Sequence, residues 1–466
     1  MTESIELAVI GAGPAGLAAA GQAAELGLSV TLIDTFALPG GQYYKQTPPE
    51  LGETAPPDAS ARELLAGVDQ EGVRLLSGTS VWGIFPENDA YTLCLYGPPA
   101  TPRRLQAQTV ILAPGAYDRP APFPGWTLPG VMTAGAAMAM VKHQHVLPGR
   151  RILLSGTGPL QLVLAQRLID AGADVVGVLD TSSFPWSGWR HAGAVWGQWA
   201  RLREGWDAFR AMLGAGVSIR WGHCVLSAEG EGRVEQALIG PAPGQDGGSG
   251  RTASSKETLS VDAICLGHGF VPAVQLSRLA GCEHRYQPVQ RSYVPVRNGE
   301  LQTTLAGLYV AGDGAGIGGK DVAQCEGRLA ALGAARKLGR EVDAGKVSDV
   351  QQALNRQRRF AAVLDALFPT SAHLVDLLTD DTVLCRCEEI TVGQIRRVIK
   401  EGATTVSAIR MLTRTGMGRC QGRMCGIWVA ELLARELNQP VEAAGQSTPR
   451  PPIVPVPLGG LVGEAS

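Results

Sequence analysis

Four of the nine cysteines lie near the C-terminal end of the chain and have the spacing of metal ligands. Cys385 and Cys387 are separated by one residue, and Cys420 and Cys425 are separated by four. Four thiolates of this kind bind either a [2Fe-2S] cluster or a zinc ion. Structural zinc sites separate paired cysteines by about two to four residues, so the Cys-x-Cys pair favours the [2Fe-2S] cluster over zinc.

A glycine-rich loop near the N-terminal end has the pattern of a nucleotide-binding turn, Gly-Ala-Gly-Pro-Ala-Gly. Its glycines allow a tight turn, close approach of the backbone to a diphosphate and close packing of the following helix, whose first amides face the phosphates. Asp34 ends the next apolar segment, where a carboxylate can bind a ribose diol. The predicted ligands of this nucleotide are Gly11, Gly13, Pro14, Ala15, Gly16 and Asp34.

Three later segments indicate that the nucleotide is FAD. Gly40-Gly41-Gln42 follows the second strand, where backbone amides can reach a diphosphate. An Ala-Pro-Gly turn ends at Gly115, and residues 304–313 end in a Gly-Asp pair whose aspartate is suited to the ribityl chain. A helix after this pair would direct its positive N-terminal end at the flavin ring. The further predicted FAD ligands are Gly41, Gln42, Gly115, Gly312 and Asp313.

A second, altered copy of the glycine loop begins at Gly156. Gly158 and Asp180 repeat the turn and the terminal acid, but Gln161 stands where the third glycine is expected. A large residue at this position should hold the helix away from the strand and weaken the fit of a diphosphate. This loop therefore binds NAD, another adenine nucleotide such as ATP, or no ligand.

The elements that must position these residues form two β-α-β units. Strands are predicted over 5–10 and 29–34, and again over 152–155 and 174–180, each pair flanking a helix. The predicted fold class is α/β, with two dinucleotide-binding domains as in glutathione reductase and a small helical [2Fe-2S] domain. The predicted domains are an FAD-binding domain in two parts (1–145 and 263–345), an inserted NAD-like domain (146–262), a helical linker (346–382), the [2Fe-2S] domain (383–437) and a Pro/Gly-rich tail (438–466).

Composition excludes several classes of function. The chain has 466 residues, 45% of them hydrophobic, which is enough for more than one core. Its net charge is −2 and its sequence has no basic stripe, which argues against binding of nucleic acid or anionic lipid. No apolar run is long enough for a membrane span, and no secretory signal precedes the first strand. We expect a protein of the reducing cytoplasm.

Several histidines and tryptophans could be taken for functional residues, but solvated, structural or packing roles are predicted for most of them. His143 and His145 are two residues apart and cannot share a helix face, so solvated or capping roles are predicted. For His268, near the predicted flavin, both a contact with the flavin and a structural role stay open. Core packing is predicted for a tryptophan-rich segment, with a subunit interface as the alternative. That segment contains Trp186, Trp189, Trp196, Trp199 and Trp206.

Several motifs together resemble one family, the α subunits of heteromeric amino-acid and opine dehydrogenases, which includes opine oxidases, D-hydroxyproline dehydrogenase and the hydrogen cyanide synthase flavoprotein subunit. The resemblance covers essentially the whole chain, and its last part also resembles the bacterioferritin-associated ferredoxin. The motifs are Gly40-Gly41-Gln42, residues 116–120 with 123–126, Glu326-Gly327-Arg328, residues 416–418 with 420–425, and Arg450-Pro451-Pro452.

The resemblance implies that substrate oxidation and electron transfer take place in different subunits. A β subunit with an FAD site like that of D-amino-acid oxidase oxidises a CH-NH donor, an amino acid or opine, and the α subunit passes the electrons onward. The resemblance also implies an acceptor of the respiratory chain, through which this chain would be peripheral to a respiratory membrane. A small ferredoxin-like subunit is a further partner that the resemblance allows. Two other functions stay open: an NADH-dependent flavoprotein reductase, and an iron-release or docking protein that uses the ferredoxin-like part.

Overall fold

The computed structural model describes residues 3–51, 59–183, 199–244 and 256–461, and it divides into two compact units. The first unit comprises Met1–Tyr117, Val271–Ala361 and Thr448–Ser466. The second unit comprises Asp118–Phe270 and Ala362–Ser447. Each unit therefore contains one of the two glycine loops.

Both units combine strands and helices. In chain order, the strands are β1 (Glu3–Ile10), β2 (Val30–Ile33), β3 (Val73–Leu76), β4 (Ser80–Glu87), β5 (Ala90–Tyr96), β6 (Arg104–Leu112), β7 (Ala116–Asp118), β8 (Val131–Thr133), β9 (Arg151–Gly156), β10 (Asp174–Asp180), β11 (Ile219–Trp221), β12 (His223–Glu229), β13 (Gln236–Pro241), β14 (Glu257–Ser260), β15 (Ala263–Gly267), β16 (Phe270–Pro272), β17 (His284–Gln287), β18 (Ser292–Pro295), β19 (Leu308–Val310), β20 (Val383–Cys385) and β21 (Ile390–Thr391). The α-helices are α1 (Pro14–Glu25), α2 (Ala59–Ala66), α3 (Ala134–His143), α4 (Leu160–Asp170), α5 (Trp199–Gly214), α6 (Gln275–Leu279), α7 (Lys320–Lys337), α8 (Ala344–Leu367), α9 (Val392–Lys400), α10 (Val406–Thr413), α11 (Gly426–Glu436), α12 (Val441–Ala444) and α13 (Leu458–Leu461).

The first unit is built on a sheet in the order β3-β2-β1-β6-β5-β4, with β19 also paired to β6. Five strands run parallel: β1, β2, β3, β6 and β19. Strand β5 is antiparallel to both of its neighbours, β4 and β6. The inner half of β1 is fully buried, as its apolar run predicts. Helices α1 and α7 approach closely because they meet through small residues: a Cβ at Gly327 would lie 2.0 Å from the carbonyl oxygen of Ala15.

The second unit is built on a parallel sheet in the order β11-β10-β9-β15-β8, with β12, β13 and β14 forming an antiparallel sheet beside it. The prediction that residues 263–266 belong to the FAD-binding domain is wrong. Leu154 of β9 pairs with Cys265 of β15, whose other edge pairs with β8, so 131–133 and 263–267 both belong to the second unit. The expected boundaries at 145/146 and 262/263 therefore move to 117/118 and 270/271.

The segment 346–382, expected to be a separate linker, is divided between the units. Helix α8 begins in the first unit, and the unit boundary falls within the helix, after Ala361. The expected tail is divided in the same way, because residues 438–447 fall in the second unit. Within the first unit, the buried Ile453 donates its backbone N–H to the carbonyl oxygen of Trp82 at 3.0 Å. This bond holds the last segment to strand β4.

The C-terminal part of the second unit has its own small core around helices α9, α10 and α11. A capping box begins α9, since Thr391 and Gln394 exchange side-chain and backbone hydrogen bonds there. Gly402, with φ +107°, follows the end of this helix. Helix α10 ends at Thr413, and its C-cap residue Arg414 has φ +66°.

Two tryptophans join this C-terminal part to the segment 118–126 of the same unit. The indole of Trp126 donates to the carbonyl oxygen of Val383 at 2.6 Å, next to the first cysteine pair. The indole of Trp428 donates to the carbonyl oxygen of Pro120 at 2.5 Å. Both rings are buried, so the segment is part of the core that supports the cysteines. Among the described helices, none is long and apolar enough to cross a membrane.

Candidate functional site

The first glycine loop is a turn in which side chains cannot be accommodated. Gly11 has φ +106°, and a Cβ there would lie 2.2 Å from the carbonyl oxygen of Ala113 on the neighbouring strand. A Cβ at Gly16 would lie 1.7 Å from the carbonyl oxygen of Gly11. The start of α1 therefore touches the end of β1, and Pro14 is the first residue of this helix. The unpaired amides of its first turn are suited to an anion.

Asp34 lies beside this loop as the sequence predicted. Its carboxylate accepts the backbone N–H of Ala12 at one oxygen and that of Phe36 at the other, the latter at 2.7 Å. Burial raises the pKa of Asp34, and the two amides only partly oppose this. A carboxylate has about four lone-pair positions, so two remain for a ligand such as a ribose diol.

The Gly-Gly-Gln segment packs directly on the loop. Gly41, with φ +61°, comes so close that a Cβ there would lie 2.7 Å from the Cα atom of Gly13. The Gly40 amide donates to the carbonyl oxygen of Ala12 at 2.8 Å. Gln42 is exposed. The structure thus brings Gly41 to the glycine loop and leaves the Gln42 side chain at the surface.

The Gly-Asp pair and the Ala-Pro-Gly turn meet at the same end of the sheet. Gly312, with φ +73°, lies against Ala15, since a Cβ there would be 2.9 Å from the Cβ of that residue. A Cβ at Gly314 would be equally close to Pro114, next to Gly115. Apart from Gly115 itself and its two chain neighbours, no heavy atom of the described residues lies within 4 Å of a Cβ position at Gly115, where φ is +69°. The predicted segments therefore surround one position in front of α1.

Asp313 is held by amides of a glycine turn. Its Oδ1 accepts the N–H of Gly318 at 2.9 Å and that of Gly319 at 3.1 Å, and burial raises the pKa of its carboxyl. The helix predicted after Asp313 is α7, which begins only at Lys320, after the single 3-10 turn Gly312–Ala315. The physical reason lies in the backbone between them, because Gly316 has φ +128° and cannot continue a helix.

A buried ion-pair network that the sequence did not predict supports this turn. Glu326 accepts the N–H of Gly312 at 2.9 Å and pairs with Arg297 at 2.8 Å and Arg358 at 2.7 Å. Arg297 also donates to the carbonyl oxygen of Val310 at 2.7 Å. Burial acts to raise the pKa of Glu326, but the two guanidinium groups outweigh it and the pKa is lowered. Glu326 stands out in the sequence only as part of a family motif, which does not indicate its partners.

This network predicts a pH dependence of stability. The pKa of Glu326 in the folded chain lies below the ordinary value of 4.5, so its ionised form stabilises the fold fully above pH 4.5. That contribution is lost as the pH falls through the folded pKa. We expect the free energy of unfolding to fall more steeply below pH 4.5 in the wild type than in Glu326→Gln, measured by urea titration. Equal slopes in the two proteins would contradict this role.

The second glycine loop differs from the first in two ways. Asp180 is buried and accepts four hydrogen bonds, from Gly158 N–H at 3.1 Å, Thr157 Oγ1 at 3.4 Å, and the N–H and Oγ of Ser182 at 2.8 and 2.5 Å. These four donors match the acceptor capacity of a carboxylate, so a ribose diol would have to displace one of them. Burial raises the pKa of Asp180 despite these bonds.

The other difference is Gln161. Its side chain is buried between the start of α4 and the end of β15, where a Cβ at Gly267 would lie 3.5 Å from its Cγ. Neither polar atom of its amide has a hydrogen-bond partner among the described residues. Buried amides are almost always paired, so a water or a polar ligand group belongs at this position. Gly156 keeps the tight packing of the first loop, with a Cβ position 2.1 Å from the carbonyl oxygen of Gly267.

The four C-terminal thiols lie together as two pairs. Cys385 and Cys425 are buried and hydrogen-bonded through their thiols, and Cys387 and Cys420 contact each other nearer the surface. The Gly416 amide donates to the Cys385 Sγ at 3.5 Å. The Cys425 thiol and the amides of Gly416, Glu388 and Cys387 together lower the pKa of Cys385 to about 5, although burial opposes this.

These pairs do not form a single-ion site. Over residues 3–51, 59–183, 199–244 and 256–461, no group of three or more His, Cys, Asp or Glu side chains converges on one metal position. Structural zinc needs four ligands around one ion, whereas a [2Fe-2S] cluster shares four thiolates between two irons. Four thiols with amides directed at sulfur are a donor set that a [2Fe-2S] cluster can use.

The histidine and tryptophan predictions have mixed outcomes. His268 is buried, and its pKa is lowered to about 3 by burial and by Arg119, which agrees with a structural role. His143 is buried, so the expected solvated role is wrong for this residue. Trp199 and Trp206 are 61% and 59% exposed, so core packing is wrong for both. The other three tryptophans of that segment lie outside the described residues: Trp186, Trp189 and Trp196.

Comparison with known proteins assigns both parts of the chain to families. The pyridine nucleotide-disulphide oxidoreductase family matches residues 5–339, and the sarcosine oxidase A3 domain family matches residues 380–464. The α/β fold predicted for the nucleotide-binding part is confirmed. The predicted ferredoxin-like character of residues 383–437 stays a prediction.

Individual relatives match along almost the whole chain. The opine oxidase A subunit of Rhizobium meliloti is 34% identical over 474 residues, covering 99% of this chain and 88% of the relative. Hydrogen cyanide synthase subunit HcnB of Pseudomonas aeruginosa is 30% identical over 465 residues, covering 97% of each. The crystal structure of L-proline dehydrogenase from P. horikoshii has the same fold, with a TM-score of 0.70 at 20% identity over 99% of this chain and 80% of that one.

Proposed function

The chain belongs to the family of flavoprotein subunits that includes the opine oxidase A subunit, and from this premise we propose that it is the electron-transferring α subunit of a heteromeric amino-acid or opine dehydrogenase. The observation that carries the proposal is the presence, in one chain of this family, of a complete glycine-loop site and four thiols in two pairs. Flavin accepts an electron pair and an iron–sulfur cluster carries single electrons.

The residues proposed to hold FAD act mainly through their backbone. Gly11, Gly13 and Gly16 keep side chains away from the diphosphate, and the first turn of α1 offers its amides to it. Asp34 has acceptor positions left for the ribose, and Asp313 has them for the ribityl hydroxyls. The Glu326 network fixes the turn from which Asp313 extends.

The residues proposed to hold the cluster are the two cysteine pairs. Cys385 and Cys425 would provide the buried side, and Cys387 and Cys420 the side nearer to solvent. Amides of Gly416, Glu388 and Cys387 stabilise negative charge on Cys385 sulfur. The guanidinium of Arg386, the residue between the first two cysteines in the sequence, lies 5.3 Å from the ring centre of Trp126, a cation–π contact.

Substrate oxidation is assigned to a partner β subunit with its own FAD site. In this chain, Asp34, Asp180 and Asp313 are bound to backbone amides, and His268 is buried beside a cation, so none is a suitable general base. The second glycine loop is proposed to have mainly a structural role, because the Asp180 carboxylate already accepts four hydrogen bonds from within the chain. An adenine nucleotide there, NAD or ATP, would have to engage the buried Gln161 amide instead.

The cluster is tested by replacing single cysteines. We expect the purified chain to contain about two irons, and Cys425→Ser or Cys387→Ser to lose most of the iron and its visible absorption while keeping FAD. Cys325→Ser is the matched control, because this thiol lies in α7, and it should keep both cofactors. Iron analysis and flavin absorbance give the two readouts. One zinc and no iron in the wild type would contradict the proposal.

A further inference from the structure

Three large apolar side chains are exposed beside the cysteine pairs. Met411 is 78% exposed, Leu412 63% and Met417 40%, whereas Val406 and Ile409 on the other side of α10 are buried in the core. Isolated exposed apolar residues are ordinary, but three grouped at one helix end mark an interaction site. We call this surface, with its flanking arginines, the 410–419 face; it consists of Arg410, Met411, Leu412, Arg414, Met417 and Arg419.

The C-terminal end of the face contacts the segment that carries Cys387. A Cβ at Gly418 would be only 2.3 Å from the Cβ of Cys387, so the loop that carries Met417 packs on this cysteine. Arg414, at the end of α10, forms an ion pair with Glu388 at 3.0 Å. Glu388 directly follows Cys387 in the chain. Cys387 is itself exposed. A protein that covers this end of the face would therefore lie next to Cys387.

The charge of the face is positive although the whole chain has a net charge of −2. Residues 383–437 contain nine arginines and lysines and five glutamates, which gives +4. From Arg410 to Arg423 there are four arginines and no acidic residue. Arg410 and Arg419 form no ion pair with a described residue. Their charge is therefore available to a partner of opposite sign.

We propose that the 410–419 face docks an acidic one-electron carrier protein, an inference that rests on the proposed function of the adjacent cysteines. A small apolar centre with a charged rim is suited to a transient redox encounter, which buries less than about 1,200 Å². The arginines steer the carrier and fix its orientation. The docked carrier takes up one electron from the chain, and no bond is formed or broken and no proton moves. A second copy of this chain is a poorer fit, because it would bring the same positive face.

The test is binding of an acidic [2Fe-2S] ferredoxin to the purified full chain, measured by titration calorimetry at low salt. We expect Met411→Ser with Leu412→Ser, and separately Arg410→Glu with Arg419→Glu, to raise Kd by at least about tenfold. Leu458→Ser, at an 81% exposed position of the first unit, and Arg62→Glu on α2 are matched controls and should change Kd by less than about twofold. Basic cytochrome c should bind more weakly than the ferredoxin.

The outcomes separate the docking face from the proposed function. Binding does not require a cluster, so iron is measured in every sample. Iron-loaded variants that bind the ferredoxin as tightly as wild type would overturn the docking face alone, as would failure of the wild type to bind. Face-dependent binding by a chain that never contains iron would keep the docking face and overturn the proposed function. Loss of a dimer, or of binding to anionic vesicles, in place of carrier binding would also overturn the proposal.

Discussion

Gly16→Ala should unfold the first unit or abolish FAD binding. The new Cβ would lie 1.7 Å from the carbonyl oxygen of Gly11, and the conflict is between two backbone segments that no rotamer change can relieve. Helix α1 would have to move away from β1, opening the contact that directs its amides at the diphosphate. We expect a loss of roughly 4–5 kcal/mol or more in the free energy of unfolding, which is exceptional for one methyl group.

The same helix offers a matched control. Gly21 also lies in α1, but a Cβ there would meet only Gly67 at 3.6 Å, an ordinary contact. Gly21→Ala should therefore keep FAD and gain up to about 0.5–1 kcal/mol, because alanine restricts the unfolded chain. Urea unfolding and the flavin content of the purified protein give the two readouts. If Gly16→Ala matched Gly21→Ala in both, the loop geometry described above would be wrong.

Glu326→Ala is the second substitution for which we expect a large effect. It would leave Arg297, whose side chain is only 14% exposed, without its carboxylate partner, and the Gly312 amide without its acceptor. Removing one member of a buried ion pair typically destabilises by about 3–5 kcal/mol. FAD affinity should fall as well, because the turn at Asp313 loses its support.

Arg358→Ala provides the comparison within the same network. The Arg358 side chain is 41% exposed, so its pair with Glu326 is screened by solvent and should contribute no more than about 1 kcal/mol. Both variants are compared by urea unfolding of the flavin-loaded chain. If Glu326→Ala and Arg358→Ala lowered the free energy of unfolding equally, the buried ion pair between Glu326 and Arg297 would not be the main source of stability in this network.

Local patterns in the sequence identified the elements that carry the candidate sites. The two β-α-β units were predictable because apolar runs, glycine turns and terminal acids are set by neighbouring residues. The capping box at Thr391 was predictable for the same reason. The cysteines could be grouped from spacing, although spacing alone could not show that they contact as two pairs.

The features that were missed depend on distant parts of the chain. Residues 263–267 form a strand, but a strand pattern in the sequence does not specify which sheet it joins, and β15 pairs with β9. The partners of Glu326 are 29 and 32 residues away and have no shared motif. Core packing was predicted for Trp199 and Trp206, yet a sequence pattern cannot tell a buried face from one that is exposed in the single chain.

The central claim is that this chain relays electrons from a donor oxidised in another subunit. The most direct test is anaerobic stopped-flow spectroscopy of the purified chain mixed with NADH, and then with its β partner and candidate opines or D-amino acids. We expect no fast flavin bleaching with NADH, and bleaching by an amino-acid or opine substrate only when the partner is present. Fast bleaching of the isolated chain by NADH would contradict the relay and make the chain a pyridine-nucleotide reductase.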